Sequence, residues 1–177
     1  MEHKDHVELL REGIPATGRV WADFGSGEGA FTLALAELAG PEAVIYSIDK
    51  DRRALSRQED AMKRRFPGRP AGSVHYINAD FTHPLDLPLL DGLVMANALH
   101  FQRTKEPLLH LLKSYLRQGG LMLLVEYNTD TGNPWVPHPL SFPTWKNLAA
   151  SVSFKETRLL ATYPSRFLGE IYSAASQ

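Results

Sequence analysis

Residues 20–39 constrain the fold of this chain more than any other stretch. The segment begins with the apolar residues 20–22, passes through a turn with glycines at 25, 27 and 29, and continues into an alanine- and leucine-rich run over 30–39. A buried strand, a glycine-rich turn and a helix in this order form half of a nucleotide-binding βαβ unit. Because glycine lacks a Cβ atom, the turn can be tight and its backbone can lie against a ligand. The segment therefore predicts a ligand site at the start of the helix, where free N–H groups are available.

The spacing of the glycines separates two classes of ligand. Dinucleotide-binding proteins use G-x-G-x-x-G, whereas this turn has G-x-G-x-G with Asp23 placed two residues before Gly25. We expect Asp23 at the carboxyl end of the strand, where open α/β sheets bind their ligands. A carboxylate there repels a pyrophosphate and suits a ligand that carries an ammonium and a sulfonium group. The pattern therefore ranks an NAD oxidoreductase last, and it leaves a glycine turn without any ligand as the structural alternative.

The pattern D-F-G-S-G-E-G at residues 23–29 resembles motif I of the class I S-adenosylmethionine-dependent methyltransferases. This resemblance implies an α/β fold, namely a Rossmann-like three-layer α/β/α sandwich whose mostly parallel seven-stranded sheet ends in a C-terminal antiparallel hairpin. It also implies S-adenosyl-L-methionine as the cofactor. The residues of the turn that it assigns to cofactor binding are Asp23, Phe24, Gly25, Ser26, Gly27 and Gly29.

A second acidic residue follows the second predicted strand, residues 43–48. Asp49 lies 20 residues past Gly29, near the place where an acid on the second strand reaches ribose hydroxyls. A carboxylate can accept hydrogen bonds from two neighbouring hydroxyls, which explains the residue type. Asp49 could instead cap the following helix, although Asp51 is equally well placed for that role. We expect the ribose role for Asp49 and assign the adjacent Lys50 to the same site.

The third and fourth predicted strands, residues 73–79 and 93–96, are also followed by polar residues. The resemblance implies that Asp80 accepts a hydrogen bond from the adenine amino group and that Phe81 packs on the adenine ring. Asn97 begins the sequence N-A-L-H-F, which resembles the motif after strand four of small-molecule methyltransferases, and we assign Asn97 to cofactor binding. The Asn-Pro-Pro-Tyr signature of methylation at amino groups of adenine or glutamine is missing, which argues against a nucleobase-amine methylase.

The rest of the pattern predicts alternating helices and strands and then a hairpin. Apolar residues at helical spacing predict helices over 5–12 and 52–66, and a helix capped by Thr104 is predicted to end at Gly119 and Gly120. The uniformly apolar residues 121–125 predict a buried parallel strand. A loop over 129–142, rich in Pro, Gly and Asn, leads to a short helix around Trp145. Residues 154–162 and 167–174 are predicted to form the antiparallel hairpin.

Composition limits the classes of partner. A chain of 177 residues with 44% hydrophobic residues predicts one globular domain over residues 1–177. The net charge of −1 gives no reason to expect nucleic acid or an anionic membrane as a partner. No apolar run approaches the ~20 residues of a membrane span, and the charged start is unlike a signal peptide. We therefore expect a cytoplasmic protein with a small-molecule substrate, whereas the oligomeric state is not encoded in these patterns.

Metal and thiol chemistry are not indicated by the sequence. The chain has no cysteine, so disulfides, thiolate catalysis and cysteine-based metal sites are excluded. No pair of its seven histidines has the i, i+4 spacing of a helical zinc site. We therefore predict no metal.

Methyl transfer from a sulfonium is an in-line displacement, so the enzyme contributes mainly by orientation, and it needs a general base only if the nucleophile keeps a proton. The candidate catalytic residues are His100, Tyr127 and His138, because they lie near the ends of strands four and five or on the long loop. Trp135 is a candidate aromatic wall. Each has a structural alternative: His100 could merely line the pocket, Tyr127 could belong to the core, and His138 could lie on an exposed loop.

The leading hypothesis is a methyltransferase that acts on a small molecule. Methylation of RNA or protein is the second enzymatic hypothesis, although no basic groove or partner domain is visible in the sequence. A module that binds S-adenosylmethionine without turnover is the alternative from a different class, since a fold does not fix a function.

Overall fold

The computed structural model describes residues 1–15, 17, 19–70 and 73–177. Within these ranges the strands are β1 (Val20–Phe24), β2 (Val44–Asp49), β3 (Val74–Asn78), β4 (Leu90–Ala96), β5 (Leu116–Tyr127), β6 (Thr157–Ser165) and β7 (Gly169–Ser176). The α-helices are α1 (His3–Arg11), α2 (Ala30–Ala39), α3 (Arg52–Arg65), α4 (Glu106–Ser114) and α5 (Phe142–Ser151), and Leu99–Phe101 forms a short 3-10 helix.

The strands form one sheet in the order β3-β2-β1-β4-β5-β7-β6. Neighbouring strands from β3 to β5 run parallel, so their carboxyl ends meet at one edge of the sheet. β7 pairs antiparallel with both β5 and β6, which gives the C-terminal hairpin. The order reverses between β1 and β4, and open α/β sheets bind ligands outside the carboxyl ends of the strands at such a switch point.

Helices cover both faces of the sheet because its strands are apolar on both faces. On one face, helices α1, α2 and α3 bury a cluster that includes Leu10, Leu35 and Met62. On the other face, α4 and α5 bury a second cluster that includes Leu109 and Trp145. The three-layer α/β/α fold with a mostly parallel sheet of seven strands, expected from the sequence, is therefore confirmed.

The start of α4 and the start of β5 differ from the sequence-based expectation. Thr104 is not the helix cap: α4 has Lys105 at the N-cap position, no capping side chain, and a proline in its first turn, where proline is tolerated. Gly119 and Gly120 do not end the helix but lie within β5. A register shift between Leu90 and Gly92 of β4 accompanies this early part of β5. A Cβ atom at Gly120 would lie 3.1 Å from the carbonyl oxygen of Leu90, so close packing explains that glycine.

The other boundaries shift by a few residues. Helix α1 covers Asp5 to Arg11 as expected but begins at His3, and the hairpin strands β6 and β7 both lie later in the chain than predicted. Helix α2 begins and ends where the sequence indicated. Such offsets arise because apolar periodicity identifies a helix or strand more reliably than it identifies the residue at which that element begins or ends.

Helix α1 packs beside α2 and β6, and its residues do not line the cavity described below. None of the helices in the described ranges combines the length and the apolar character needed to cross a bilayer.

Candidate active site

Three glycines shape the turn between β1 and α2, and each has a positive φ angle: +76° at Gly25, +53° at Gly27 and +85° at Gly29. A Cβ atom at Gly25 would lie 2.7 Å from Ala98 Cβ, and one at Gly29 would lie 2.3 Å from Gln58 Cγ. At Gly27 no atom lies within 4 Å of that position. Packing within the protein therefore requires glycine at the two outer positions, whereas the middle glycine faces open space that a ligand can approach.

Asp49 connects the end of β2 to this turn. Its Oδ2 atom accepts a hydrogen bond from the Gly27 N–H at 2.8 Å, and its Oδ1 atom accepts one from the Asp51 N–H at 2.8 Å. Asp51, in turn, caps α3 by accepting from Arg53 N at 2.8 Å and Ala54 N at 3.2 Å. The capping role therefore belongs to Asp51. Asp49 holds the turn, and its remaining lone pairs are free to accept from a ligand.

A cavity of about 280 Å³ lies at the carboxyl ends of β1 to β4, close to the lower limit of small-ligand pockets. Residues that the sequence had assigned to cofactor binding form most of its wall: Gly25, Asp49, Lys50, Asp80, Phe81 and Asn97. Its other lining residues, which the sequence patterns do not predict, are Thr82, Ala98, Phe101 and Gln102.

The wall contains several hydrogen-bond acceptors in addition to the donor Lys50. The Oδ1 atom of Asn97 is buried without a partner, and the residue has a positive φ of +52°. Thr82 donates to Asp80 Oδ1 from its backbone N–H at 3.0 Å and from its hydroxyl at 2.8 Å. These bonds lower the pKa of Asp80 and keep it ionised. The cavity therefore suits a ligand with several N–H or O–H donors.

Five residues of the predicted cofactor set do not line this cavity: Asp23, Phe24, Ser26, Gly27 and Gly29. The ring of Phe24 is fully buried and stacks on Tyr115 with 5.8 Å between centroids. The hydroxyl of Ser26 accepts a hydrogen bond from Ser47 Oγ at 2.8 Å. A contact from Phe24 or Gly29 to a ligand is therefore limited to backbone groups.

Asp23 lies in β1 beside α2 rather than in the cavity wall. Its carboxylate is only 1% exposed, and its Oδ2 atom accepts a hydrogen bond from Thr32 Oγ1 at 2.6 Å. Burial raises the pKa of Asp23 to about 7, the bond from Thr32 opposes this shift, and the charge of Asp49 adds to it. A direct contact between Asp23 and an ammonium group of the ligand stays a prediction.

A buried histidine and glutamate lie next to the cavity, after β4 and at the end of β5. His100 Nδ1 is 2.9 Å from both carboxylate oxygens of Glu126, and the two side chains are 3% and 0% exposed. The backbone N–H groups of His100 and Tyr127 also donate to this carboxylate, at 3.3 and 2.8 Å. Since the glutamate only accepts, we assign the imidazole proton to Nδ1. The Nε2 atom has no hydrogen-bond partner among the described residues, and His100 itself is not part of the cavity wall, which its neighbour Phe101 lines.

The other two catalytic candidates also lie beside His100. The ring of Tyr127 is 6.2 Å from the His100 ring, centroid to centroid. Burial, and then the charge of Glu126, raise the pKa of Tyr127, so its phenol stays protonated. His138 is half-buried, and its backbone N–H donates to the carbonyl oxygen of His100 at 3.0 Å. The structure therefore brings all three candidates together, although His138 does so through its backbone.

Comparison with known families identifies the chain. The family profile described as "Methyltransferase domain" matches residues 17–162, which is most of the chain. The chain belongs to this methyltransferase family. Comparison of the sequence with curated proteins gives no match.

Methyltransferases are among the solved structures with the same fold. A SAM dependent methyltransferase from Aquifex aeolicus matches with a TM-score of 0.73 at 16% identity, over 97% of this chain and 88% of that chain. The 1,6-didemethyltoxoflavin-N1-methyltransferase of Burkholderia thailandensis, with 1,6-didemethyltoxoflavin and S-adenosylhomocysteine bound, matches with 0.75 at 15%, over 99% and 77%. An arsenic(III) S-adenosylmethionine methyltransferase from Chlamydomonas reinhardtii matches with 0.71 at 15%, over 90% and 62%. The expected methyltransferase family is therefore confirmed, and the fold is the one that the resemblance implied.

One residue of this methyltransferase site could have been identified from the sequence. Glu126 is the first charged residue after the apolar run of β5, and a charged residue directly after a buried parallel strand lies at the ligand-binding edge. Gln102 and Phe101 carry no comparable signal, because only the 3-10 helix after β4 brings them to the cavity.

A larger cavity, of about 540 Å³, lies at the opposite edge of the sheet, where β5 begins and β7 ends. Neither the glycine turn nor the acids at the strand ends line it. Within the described parts of the chain, no group of three or more His, Asp or Glu side chains is placed to hold a metal ion.

Asp49→Asn should weaken the binding of S-adenosylmethionine by about 10- to 100-fold, because the substitution removes the charge that strengthens hydrogen bonds from donor hydroxyls. The matched control is Asp51→Asn, which makes the same change of charge two residues away and keeps a good helix cap. Isothermal titration calorimetry measures both affinities. An equal effect of the two substitutions would exclude Asp49 as a direct ligand of the cofactor.

The ionisation of Asp23 should make the stability of the protein depend on pH. Because its pKa is raised to about 7 from the usual 3.8, the folded state binds the proton more tightly than the unfolded state does. The free energy of unfolding should therefore fall as the pH rises from about 4 to about 7, by up to about 4 kcal/mol for this group. Asp23→Asn cannot ionise and should flatten this dependence. Urea denaturation of both proteins from pH 4 to 8 measures the difference, and parallel pH profiles would contradict the account.

Proposed function

We propose that this methyltransferase transfers the methyl group of S-adenosylmethionine to a small-molecule acceptor by in-line displacement, with His100 as the general base. The observation that carries the proposal is the buried pair of His100 and Glu126, in which the His100 ring lies 4.3 Å from the ring of Phe101 in the cavity wall. The pair leaves one imidazole nitrogen able to accept a proton.

The cavity has the residue types that S-adenosylmethionine requires. Asp49 would accept from the ribose hydroxyls, Asp80 and Phe81 would hold the adenine, and the unpaired Oδ1 of Asn97 would accept from a donor group of the cofactor. The turn around Gly27 leaves open space for the amino-acid part. When bound, the cofactor supplies an electrophilic methyl group whose bond to sulfur breaks as the bond to the acceptor forms.

The protein contributes position and a proton acceptor. Holding the acceptor in line with the methyl group can lower the barrier by about 7–11 kcal/mol. His100 would accept the proton that a hydroxyl or protonated acceptor loses, a contribution of about 100- to 10,000-fold in rate. Glu126 would hold the imidazole in the required tautomer and stabilise the imidazolium. Tyr127, protonated at neutral pH, would orient the acceptor by donating a hydrogen bond.

A small molecule is the acceptor that the surroundings of His100 favour. The loop over 129–141 is tied down at both ends, since Asn128 Oδ1 accepts from Phe142 N at 2.9 Å and Asp130 Oδ1 accepts from Ser141 N at 2.9 Å. His138 of this loop donates from its backbone N–H to the carbonyl oxygen of His100, so the fixed loop would limit the space for an acceptor next to His100. The net charge of −1 provides no attraction for RNA. An inorganic arsenic ion is disfavoured because the chain has no cysteine thiolates, the ligands that soft ions prefer.

His100→Gln should lower kcat by about 100-fold or more, because glutamine cannot accept the proton, while S-adenosylmethionine affinity changes little. Glu126→Gln should also lower kcat and change the dependence of kcat on pH, since the imidazolium of His100 loses its counter-charge. The control is His110→Gln, on the exposed face of α4, which should leave kcat unchanged.

Radiolabelled S-adenosylmethionine supplied with a panel of hydroxylated and amino metabolites provides the assay. If the His100→Gln variant turns over at the same rate as the His110→Gln control, His100 is not the general base. Binding of S-adenosylmethionine without turnover of any acceptor by the unmodified protein would favour the non-catalytic module.

A further inference from the structure

Three aromatic side chains in the described part of the protein are largely exposed to solvent. Phe101 is 60% exposed, Trp135 is 72% exposed and Phe167 is 49% exposed. Large apolar side chains that are exposed together indicate a binding surface. These three come from different parts of the chain, namely the 3-10 helix after β4, the loop before α5, and the turn between β6 and β7.

The three side chains belong to one continuous row of rings that starts at the cavity. Phe101 lines the cavity and lies 4.3 Å from the His100 ring, which lies 6.2 Å from Tyr127. Tyr127 lies 5.9 Å from Phe167, and Phe167 lies 6.3 Å from Trp135, all between ring centroids. We call these five residues the aromatic row.

The exposed end of the row is held in place by hydrogen bonds. Asn133 Oδ1 accepts from Trp135 N and from Val136 N, both at 2.9 Å. The same loop is joined to the active site by the bond from His138 N to the carbonyl oxygen of His100. Trp135 is therefore exposed on a fixed loop rather than on a free end, and a fixed aromatic surface needs little ordering before it binds a ligand.

The arrangement of the rings distinguishes two kinds of ligand. A cation is bound by several rings that surround one point, as in the aromatic cages for methylated ammonium groups. Here each ring contacts the next along a line, with interplanar angles of 52° to 74°. His100 in the middle of the row is buried, so the exposed apolar faces are those of Phe101 at one end and of Phe167 and Trp135 at the other. Such separate ring faces suit a flat ring system better than a compact cation.

We propose that the aromatic row is the acceptor subsite and that it binds a flat aromatic compound with a hydroxyl group. This proposal rests on the proposed function, because His100 belongs to both the row and the catalytic pair. The hydroxyl follows from the chemistry of that residue: the free Nε2 of His100 can take the hydroxyl proton as the oxygen forms its bond to the methyl carbon. The proton passes from oxygen to nitrogen, and the electron pair of the broken carbon–sulfur bond stays on sulfur.

The test compares 2-naphthol with decahydro-2-naphthol, which has the same carbon skeleton and hydroxyl but no flat ring. Both are titrated into the full chain saturated with S-adenosylhomocysteine, and binding is followed by the indole N–H signals in two-dimensional NMR spectra. Of the three tryptophans, Trp21 and Trp145 are fully buried and only Trp135 is exposed. We expect 2-naphthol to shift the Trp135 signal alone and to bind at least about tenfold more tightly than the saturated compound.

Phe167→Ala should weaken the binding of 2-naphthol by about three- to tenfold, because it removes one ring of the surface and keeps the Trp135 reporter. The matched control is Leu159→Ala on β6, another exposed apolar residue, 45% exposed and outside the row. Equal affinities for the two naphthols, no shift of the Trp135 signal, or equal effects of the two substitutions would overturn the proposal. Calorimetry with S-adenosylmethionine separates the outcomes: if the cofactor binds and 2-naphthol does not, only the acceptor subsite is wrong.

Discussion

The packing of α3 against the glycine turn determines the geometry of this site. The side chain of Gln58 is fully buried and occupies the space next to Gly29 that any Cβ atom would need. Its Oε1 lies 3.0 Å from Ser47 Oγ, and the hydroxyl of Ser47 donates to Ser26 Oγ in the turn at 2.8 Å. The turn is therefore fixed by a helix and a strand that follow it in the chain, and its shape is set before any ligand binds. Preorganisation of this kind lowers the cost of ordering the protein on binding.

The parallel sheet brings residues that are distant in sequence together in one site. Because β1 to β5 run in the same direction, the residue that follows each strand lies at the same edge. Asp49, Asp80 and Asn97 thereby reach one cavity, and Glu126 reaches His100. In the proposed mechanism, the first group accepts hydrogen bonds from the methyl donor, and His100 accepts the proton. Binding and chemistry would then be separated along the sheet, with the acceptor on the β4–β5 side.

Much of this arrangement could be predicted from the sequence, since strand ends can be found from apolar runs. The turn at Gly25–Gly29 and the acids after β2 and β3 were identified in this way. The side chains of Phe24 and Asp23 are harder to place from the sequence. Successive side chains of a strand point to opposite faces of the sheet, and the sequence pattern does not indicate which face meets the cavity. The contacts of Phe167 with Tyr127 and Trp135 in the aromatic row join segments up to 40 residues apart (127 to 167). The periodicity of apolar residues carries no information about such contacts.

A crystal structure of the protein grown with S-adenosylhomocysteine tests the central claim most directly. The account predicts ligand density along the turn beside Gly27, with the ribose at Asp49, the adenine between Asp80 and Phe81, and the sulfur on the side of His100. Density in the cavity at the opposite edge of the sheet, or a turn without ligand at saturating concentration, would contradict it.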